Sequence, residues 1–358
     1  MGKEDIRKAN STLNHLEFEQ KKIRLESRPR MLFLELTRSC NLMCDMCRGK
    51  LLKGSHLDMP ADVLDRVDRE LFPYVECVDV RGWGESTLDD RLLTLVDTLN
   101  ERQVRVNLFT NLTTRSPGYW QEMGKREINI AISLEAGTRE TYGKYRKGGR
   151  YDTFVSNLDA LTGERQKRGI ETDLYFTVVV SDENLPELPG IVQLASRCGI
   201  PLIRLNAITK DQTEGNYPQI GVGRDNKKVL DNVMEEVRGL SKLSGIRIQY
   251  STNLIMTDDA GFDLCIHPWS YVFVRHDGAV GFCDHLVAHP GSIIGNLMEE
   301  TFMEIWNSEE YLEIRREHLR GEFARWHEKG IECDWCYKNR FADCEYLFEP
   351  NYTPFELG

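Results

Sequence analysis

Glu35-Leu36-Thr37-Arg38-Ser39-Cys40-Asn41-Leu42-Met43-Cys44-Asp45-Met46-Cys47 directly follows an apolar run at 31–36 whose length suits one strand. The stretch therefore puts three thiols on a single loop at a strand's C-terminal end. Three thiolates so spaced bind three irons of a cubane cluster and leave the fourth iron open to another ligand. A zinc knuckle or a structural cluster is the other reading. Against it, zinc sites usually come as two Cys-x-x-Cys pairs, and this loop offers no fourth ligand.

Outward from the loop, short apolar runs alternate with amphipathic segments. Strands are expected at 31–36, 77–81, 104–109, 128–134, 173–180 and 201–206, and helices near 60–71, 89–102, 117–125, 152–168 and 186–198. Pro60 opens the first helix and Gly199 closes the last. Six β-α units imply a parallel sheet with functional residues at the C-terminal strand ends, in the form of a partial barrel. Past residue 207 the pattern changes to a loop at 211–224, a helix over 226–243 and a strand at 246–250, read as a bridge. The residues after 260 hold five of the ten cysteines and four of the six tryptophans, which marks a small domain whose core is helped by metal. The division expected is a helical extension over 1–29, a core over 30–210, a bridge over 211–260 and a metal-bearing domain over 261–358.

Composition limits the function classes. A chain of 358 residues with 41% hydrophobic content buries one large domain and a smaller one. A net charge of -11 disfavours nucleic acid and favours a cationic or neutral substrate, unless the acidic surface serves solubility alone. No window reaches the roughly 18 apolar residues of a membrane span, and the charged N-terminus does not read as a secretory signal. Ile6 also breaks a myristoylation pattern. A cytoplasmic location is expected, and ten cysteines there point to metal or redox chemistry rather than disulfides. Cys77, in an apolar run, and Cys198, at a helix end, read as small buried hydrophobes.

With its Cys-x3-Cys-x2-Cys loop and Cys40-Asn41-Leu42 opening, the sequence resembles the radical S-adenosylmethionine (radical SAM) superfamily. That resemblance implies a partial (β/α)6 TIM-like barrel, a [4Fe-4S] cluster on Cys40, Cys44 and Cys47, and reductive cleavage of SAM to a 5'-deoxyadenosyl radical that abstracts a substrate hydrogen. Gly82-Trp83-Gly84-Glu85-Ser86 resembles the family's Gly-Gly-Glu motif, which implies SAM contacts for Gly84 and Glu85. Thr110, Asn111, Ser133 and Glu135 stand where the family binds ribose hydroxyls, and Arg146 resembles the arginine that pairs with the SAM carboxylate. Two departures are Met46, where an aromatic residue is usual, and Glu135, where Asp is usual.

A second resemblance lies further on. Cys265, twelve residues, Gly278, four residues and Cys283, followed later by Cys333-Asp334-Trp335-Cys336, is similar to SPASM and twitch iron-sulfur domains. It implies one auxiliary [4Fe-4S] cluster on Cys265, Cys283, Cys333 and Cys336, with tetrahedral zinc as the alternative and Cys344 left over as a spare ligand, an inert residue or a hydrogen-atom donor. Enzymes of this group imply dehydrogenation of a secondary alcohol on a small hydroxylated natural product, such as an amino sugar or aminocyclitol. Epimerisation, decarboxylation and peptide maturation are alternatives within the class, and a noncatalytic iron-sulfur or zinc sensor is the alternative outside it. Only 39 residues precede Cys40, so no fused leader-binding domain is expected and a small substrate is favoured. Substrate contacts are expected from Arg204, Asn206, Tyr175, Asp284 and His285, and electrons from a flavodoxin or ferredoxin.

Overall fold

A computed structural model describes residues 3–44, 46–47, 57–207, 227–251, 264–283, 286, 289–331, 333 and 352–354. The chain begins with α1 (Lys3–Glu19) and then runs through β1 (Met31–Leu34), α2 (Ala61–Glu70), β2 (Cys77–Val80), α3 (Leu92–Glu101), β3 (Arg105–Thr110), α4 (Pro117–Gly124) and β4 (Asn129–Ser133). After α5 (Arg139–Tyr145) and α6 (Tyr151–Arg168) come β5 (Leu174–Val180), α7 (Leu188–Cys198), β6 (Leu202–Ala207), α8 (Lys227–Ser244) and β7 (Arg247–Ser251). The remainder comprises α9 (His267–Ser270), β8 (Tyr271–Val274), β9 (Ala279–Gly281), β10 (Gly295–Asn296), α10 (Phe302–Trp306), α11 (Glu309–Arg320), α12 (Ala324–Glu328) and β11 (Tyr352–Pro354).

All strands join one open sheet in the order β10-β9-β8-β1-β2-β3-β4-β5-β6-β7-β11. The run from β8 through β1 to β7 is parallel throughout, and β9, β10 and β11 pair antiparallel at its edges. Two results go beyond the sequence pattern. The 246–250 run is a seventh parallel strand rather than a connection, since β7 pairs with β6. At the opposite edge the first strand after residue 260, β8, pairs with β1, so the C-terminal hairpin continues the barrel sheet. An open parallel sheet leaves unpaired backbone groups at both edges, and the all-buried Tyr271–Val274 run satisfies one of them.

Alternation along the strands gives the sheet two unlike faces. Leu32, Val78, Val80, Leu108, Ile130 and Phe176 pack in one core with Val67, Leu99, Trp120 and Leu158 from the helices. The inner face carries polar groups: the Asn129 amide donates to Asn107 at 2.8 Å, and the Asn107 amide to Asp79 at 3.5 Å. At the strands' N-terminal end α1 makes its own polar contacts, from Arg7 to the Arg102 and Gln103 carbonyls, from Asn10 to those of Arg28 and Tyr74, and from Asn14 to that of Trp269. These bonds satisfy carbonyls of the segments entering β1, β2, β3 and β8, so that end of the barrel is structural.

Gly163 sits within α6 with no atom within 4 Å of where a Cβ would be. Gly163→Ala should therefore stabilise the protein by about 0.5–1 kcal/mol, through a less flexible unfolded chain, and urea denaturation will measure it.

Behind the β8–β9 hairpin, the His318 imidazole on α11 is buried against Phe282 and Phe323, with Nδ1 bonded to the Ile314 carbonyl. Burial pushes its pKa down from 6.5 to about 4, the Ile314 bond opposing. The unfolded chain thus takes up this proton first, and stability is lost as pH falls from 6.5 through 4. The full loss is on the order of 3 kcal/mol, and His318→Phe should flatten the slope of unfolding free energy against pH in that window.

Candidate active site

The loop after β1 is tied to three neighbours. The Glu85 N–H donates to the Ser39 carbonyl at 2.8 Å, the Met43 N–H to the Lys147 carbonyl at 2.7 Å, and the Asn111 amide to Asn41 Oδ1 at 2.9 Å. Within the loop the Ser39 N–H is capped by Thr37 Oγ1 and the Leu42 N–H by Cys40 Sγ. The cysteines are thereby presented toward the C-terminal ends of β2 to β5, where a cavity of about 290 Å³ opens.

Cys40, Cys44, Cys47, Gly84, Glu85, Thr110, Asn111, Ser133, Glu135 and Arg146 all line this one cavity, and so does Met46. These residues come from five separate stretches of sequence. The glycines explain the close approach. A Cβ on Gly84 would stand 2.2 Å from the Thr37 carbonyl oxygen, and one on Gly82 would stand 2.4 Å from Glu35 Cγ.

Glu85 is buried and fully engaged. Its Oε1 accepts from Thr110 at 2.8 Å and Thr87 at 2.6 Å, and its Oε2 accepts the Asn111 N–H at 2.7 Å. Burial raises its pKa while these donors pull it back. Thr110 and Asn111 are thus committed to holding Glu85 and the cysteine loop. Half-buried Arg146 pairs with Glu135, and its Nη1 lies 3.9 Å from Cys44 Sγ. The charges of Glu135 and Cys44 keep the guanidinium protonated against burial. The Cys40 thiol is pushed up to about 11, chiefly by burial and against a bond from the Leu42 N–H, although the residue as a whole is exposed.

Three residues of the cavity wall were not legible as site residues. Arg81 lines it with its guanidinium over the rings of Phe33 and Phe109, at 4.5 and 4.8 Å, and paired with Asp79 at 3.1 Å. Arg38 and Trp83 border the same space. Extending the β2 alternation one step beyond Asp79 would have put Arg81 on the inner face.

Of the expected substrate residues, Tyr175, Arg204 and Asn206 lie on β5 and β6 and are not among those lining this cavity. Arg204 is in register with Thr177, which is in register with Ser133; its guanidinium stacks 3.9 Å over Tyr175 and its Nε donates to Gln249 at 3.1 Å. Asn206 donates to Thr177 at 3.0 Å. Of the C-terminal cysteines, Cys283 is buried and Cys265 and Cys333 are half-buried. Asp284, His285, Cys336 and Cys344 lie outside the described residues. Among the described residues no three His, Cys, Asp or Glu side chains are gathered to metal-ligating positions, so the shared cavity is what unites Cys40, Cys44 and Cys47.

The donor set and the glycine cradle fit a cluster with a chelating ligand: three soft thiols at one end, an arginine-carboxylate pair and backbone approach at the other. Family comparison decides the matter. The radical SAM superfamily model matches residues 34–195, and the SPASM iron-sulfur cluster-binding domain matches residues 265–338. The chain is a radical SAM protein with an SPASM domain. A radical SAM domain implies a [4Fe-4S] cluster and SAM, and an SPASM domain implies auxiliary iron-sulfur binding.

Among curated proteins, the chain is 23% identical over 365 residues to the AdoMet-dependent heme synthase of Methanosarcina barkeri, covering 94% of this chain and 99% of that one. It is 22% identical to the tungsten-containing aldehyde ferredoxin oxidoreductase cofactor-modifying protein of Pyrococcus furiosus, covering 79% and 82%. Its fold matches Streptococcus suis SuiB bound to S-adenosylmethionine with a TM-score of 0.63 at 16% identity, covering 84% of this chain and 71% of that one. Native anSMEcpe with bound AdoMet gives 0.61 at 19% identity, covering 87% and 88%. The partial-barrel α/β architecture is thus that of radical SAM enzymes. Among the described residues no helix is long and apolar enough to cross a membrane.

Proposed function

We propose that this radical SAM enzyme oxidises a small substrate bearing an anionic group, with dehydrogenation of a carbinol carbon as the specific reaction. The observation that carries the reading is the single cavity into which Cys40, Cys44 and Cys47 open together with Gly84, Glu85, Glu135 and Arg146. When bound, SAM and the clusters supply a hydrogen-abstracting 5'-deoxyadenosyl radical and an acceptor for a second electron. The chain's own residues bind and position. Cys40, Cys44 and Cys47 hold the cluster; Gly84 lets backbone approach SAM; Arg146 pairs with its carboxylate; Ser133 and Glu135 face its ribose. Glu85, held by Thr110 and Asn111, keeps the turn in place around the SAM amino group. Cys265, Cys283, Cys333 and Cys336 take the auxiliary cluster.

A carbinol carbon that loses a hydrogen atom, then one electron and its hydroxyl proton, becomes a carbonyl. Arg204, braced on Tyr175 and Gln249, and Asn206 continue the inner face past the SAM cavity and are the substrate contacts in this reading. His285 is the proposed acceptor of the hydroxyl proton, whereas Cys344 would return a hydrogen atom only in the epimerisation alternative and takes no part in the dehydrogenation. Two aromatic-stacked arginines, Arg81 and Arg204, suit a carboxylate or phosphate better than the cationic group suggested by net charge. Both curated relatives are named for making or modifying a cofactor, so anionic cofactor precursors stand beside acidic sugars as first substrates to try. A reduced flavodoxin or ferredoxin is the proposed electron source.

Anaerobic reconstitution with iron and sulfide, reduction, and chromatographic detection of 5'-deoxyadenosine from SAM test the reading. Its formation, increased by substrate and accompanied by a product two hydrogens lighter, is expected. No 5'-deoxyadenosine from a fully loaded protein would refute the enzyme assignment, and a product of unchanged mass would refute the dehydrogenation.

A further inference from the structure

The carboxylate of Glu35 lies at the C-terminal end of β1 with only 2% of the residue exposed, and it takes no part in the contacts assigned so far. It meets three parts of the molecule at once. Its Oε1 accepts the Trp83 N–H at 3.0 Å; its Oε2 receives Arg38 Nε and His276 Nδ1, each at 3.1 Å. Trp83 belongs to the glycine turn that walls the cavity, and Arg38 lines the cavity from the cysteine loop. His276 sits in the turn between β8 and β9, the hairpin that ends at Cys283. The fit is close, since the Glu35 side chain occupies the space a Cβ on Gly82 would need.

A buried carboxylate costs several kcal/mol to desolvate unless its charge is met, so this one is stable only while its donors stay in place. Cysteine loop, glycine turn and C-terminal hairpin therefore meet at a single side chain, which adds to the backbone bonds that join them. We infer that Glu35 is a positioning residue that shapes the SAM cavity and couples it to the C-terminal hairpin through His276. The inference rests on the proposed use of this cavity for SAM. Removal of such outer partners typically lowers ligand affinity about 10- to 100-fold while the direct ligands remain.

The test uses full-length protein, anaerobically reconstituted, with SAM as the probe. Glu35→Gln keeps the shape and one acceptor but loses the charge that Arg38 and His276 meet. Expected is a rise of about tenfold or more in the SAM dissociation constant, with iron content unchanged and an altered electron paramagnetic resonance response of the reduced cluster to SAM. His276→Phe should reproduce part of the affinity loss and His276→Gln, which keeps a donor, should restore it. Wild-type affinity and an unchanged spectrum in iron-replete Glu35→Gln would overturn the inference alone. Failure of the wild-type protein to bind SAM would overturn the function proposed above as well. Should Glu35→Gln lose iron, the His276 pair, which leaves the cysteine loop intact, decides: equal SAM affinity in both variants counts against the coupling.

Discussion

With Cys40, Cys44 and Cys47 all changed to Ala, the reconstituted protein should retain about four irons, the content of one cubane cluster, and form no 5'-deoxyadenosine. The three thiols open into one cavity at the ends of β2 to β5, whereas Cys265 and Cys283 bracket β8 and β9 on the far side of β1, with Cys333 beyond α12. Cys265 precedes β8 and Cys283 follows the antiparallel β9, so both lie at the opposite strand end from the loop that follows parallel β1, and neither set stands in for the other. Deleting the first set also leaves Arg146 beside Glu135 with no thiol to meet, so the cavity keeps its polar wall but loses the group that would reduce SAM. Iron content and acid-labile sulfide, measured on variant and wild type in parallel, decide it. Essentially no iron in the variant would make the C-terminal cysteines a zinc or metal-free module and would remove the route for a second electron on which dehydrogenation depends.

Sequence pattern located the barrel because its strands are buried and regular, and the motif residues it singled out line one cavity because they follow the C-terminal ends of neighbouring strands. Each of the six predicted core strands is present, with Met31–Leu34 and Leu202–Ala207 as the first and last. Less was legible where contacts come from sequence-distant partners. The strand at 247–251 reads as apolar alternation of no stated neighbour, and only its pairing with β6 makes it part of the barrel. Helix α5 escaped notice because it is short and polar; a Thr138 cap and buried Tyr142 hold it, and it ends at Arg146, whose ion pair with Glu135 no spacing rule reveals. Glu35 opens the cysteine motif yet is silent in the sequence, because its three donors lie 3, 48 and 241 residues away. Under the function proposed above, Arg81 and Arg204 shift the expected substrate charge for the same reason: net charge describes the surface and says nothing of arginines stacked on Phe33, Phe109 and Tyr175.

Gly84→Ala should cost about 1–3 kcal/mol in stability and, through the loop, far more in SAM cleavage. The added Cβ would lie 2.2 Å from the Thr37 carbonyl oxygen, 2.7 Å from that of Ser39 and 2.8 Å from the Arg38 carbonyl carbon. All three are backbone atoms of the segment leading to Cys40, so no rotamer change relieves the overlap. Restoring ordinary contact moves loop and turn apart by roughly 1 Å, a displacement that at a reacting centre costs on the order of 100-fold in rate. The Glu85 N–H bond to the Ser39 carbonyl joins the same two segments and would be strained by that motion, carrying the disturbance on to Thr110 and Asn111. Gly143→Ala on α5, where nothing lies within 4 Å of the new atom, is the matched control and should be neutral or slightly stabilising. Rates of 5'-deoxyadenosine formation normalised to iron content separate the two. A Gly84→Ala protein cleaving SAM as fast as the Gly143→Ala control would mean that the loop and turn do not hold the reacting groups, and the assignment of this cavity to SAM would have to be abandoned.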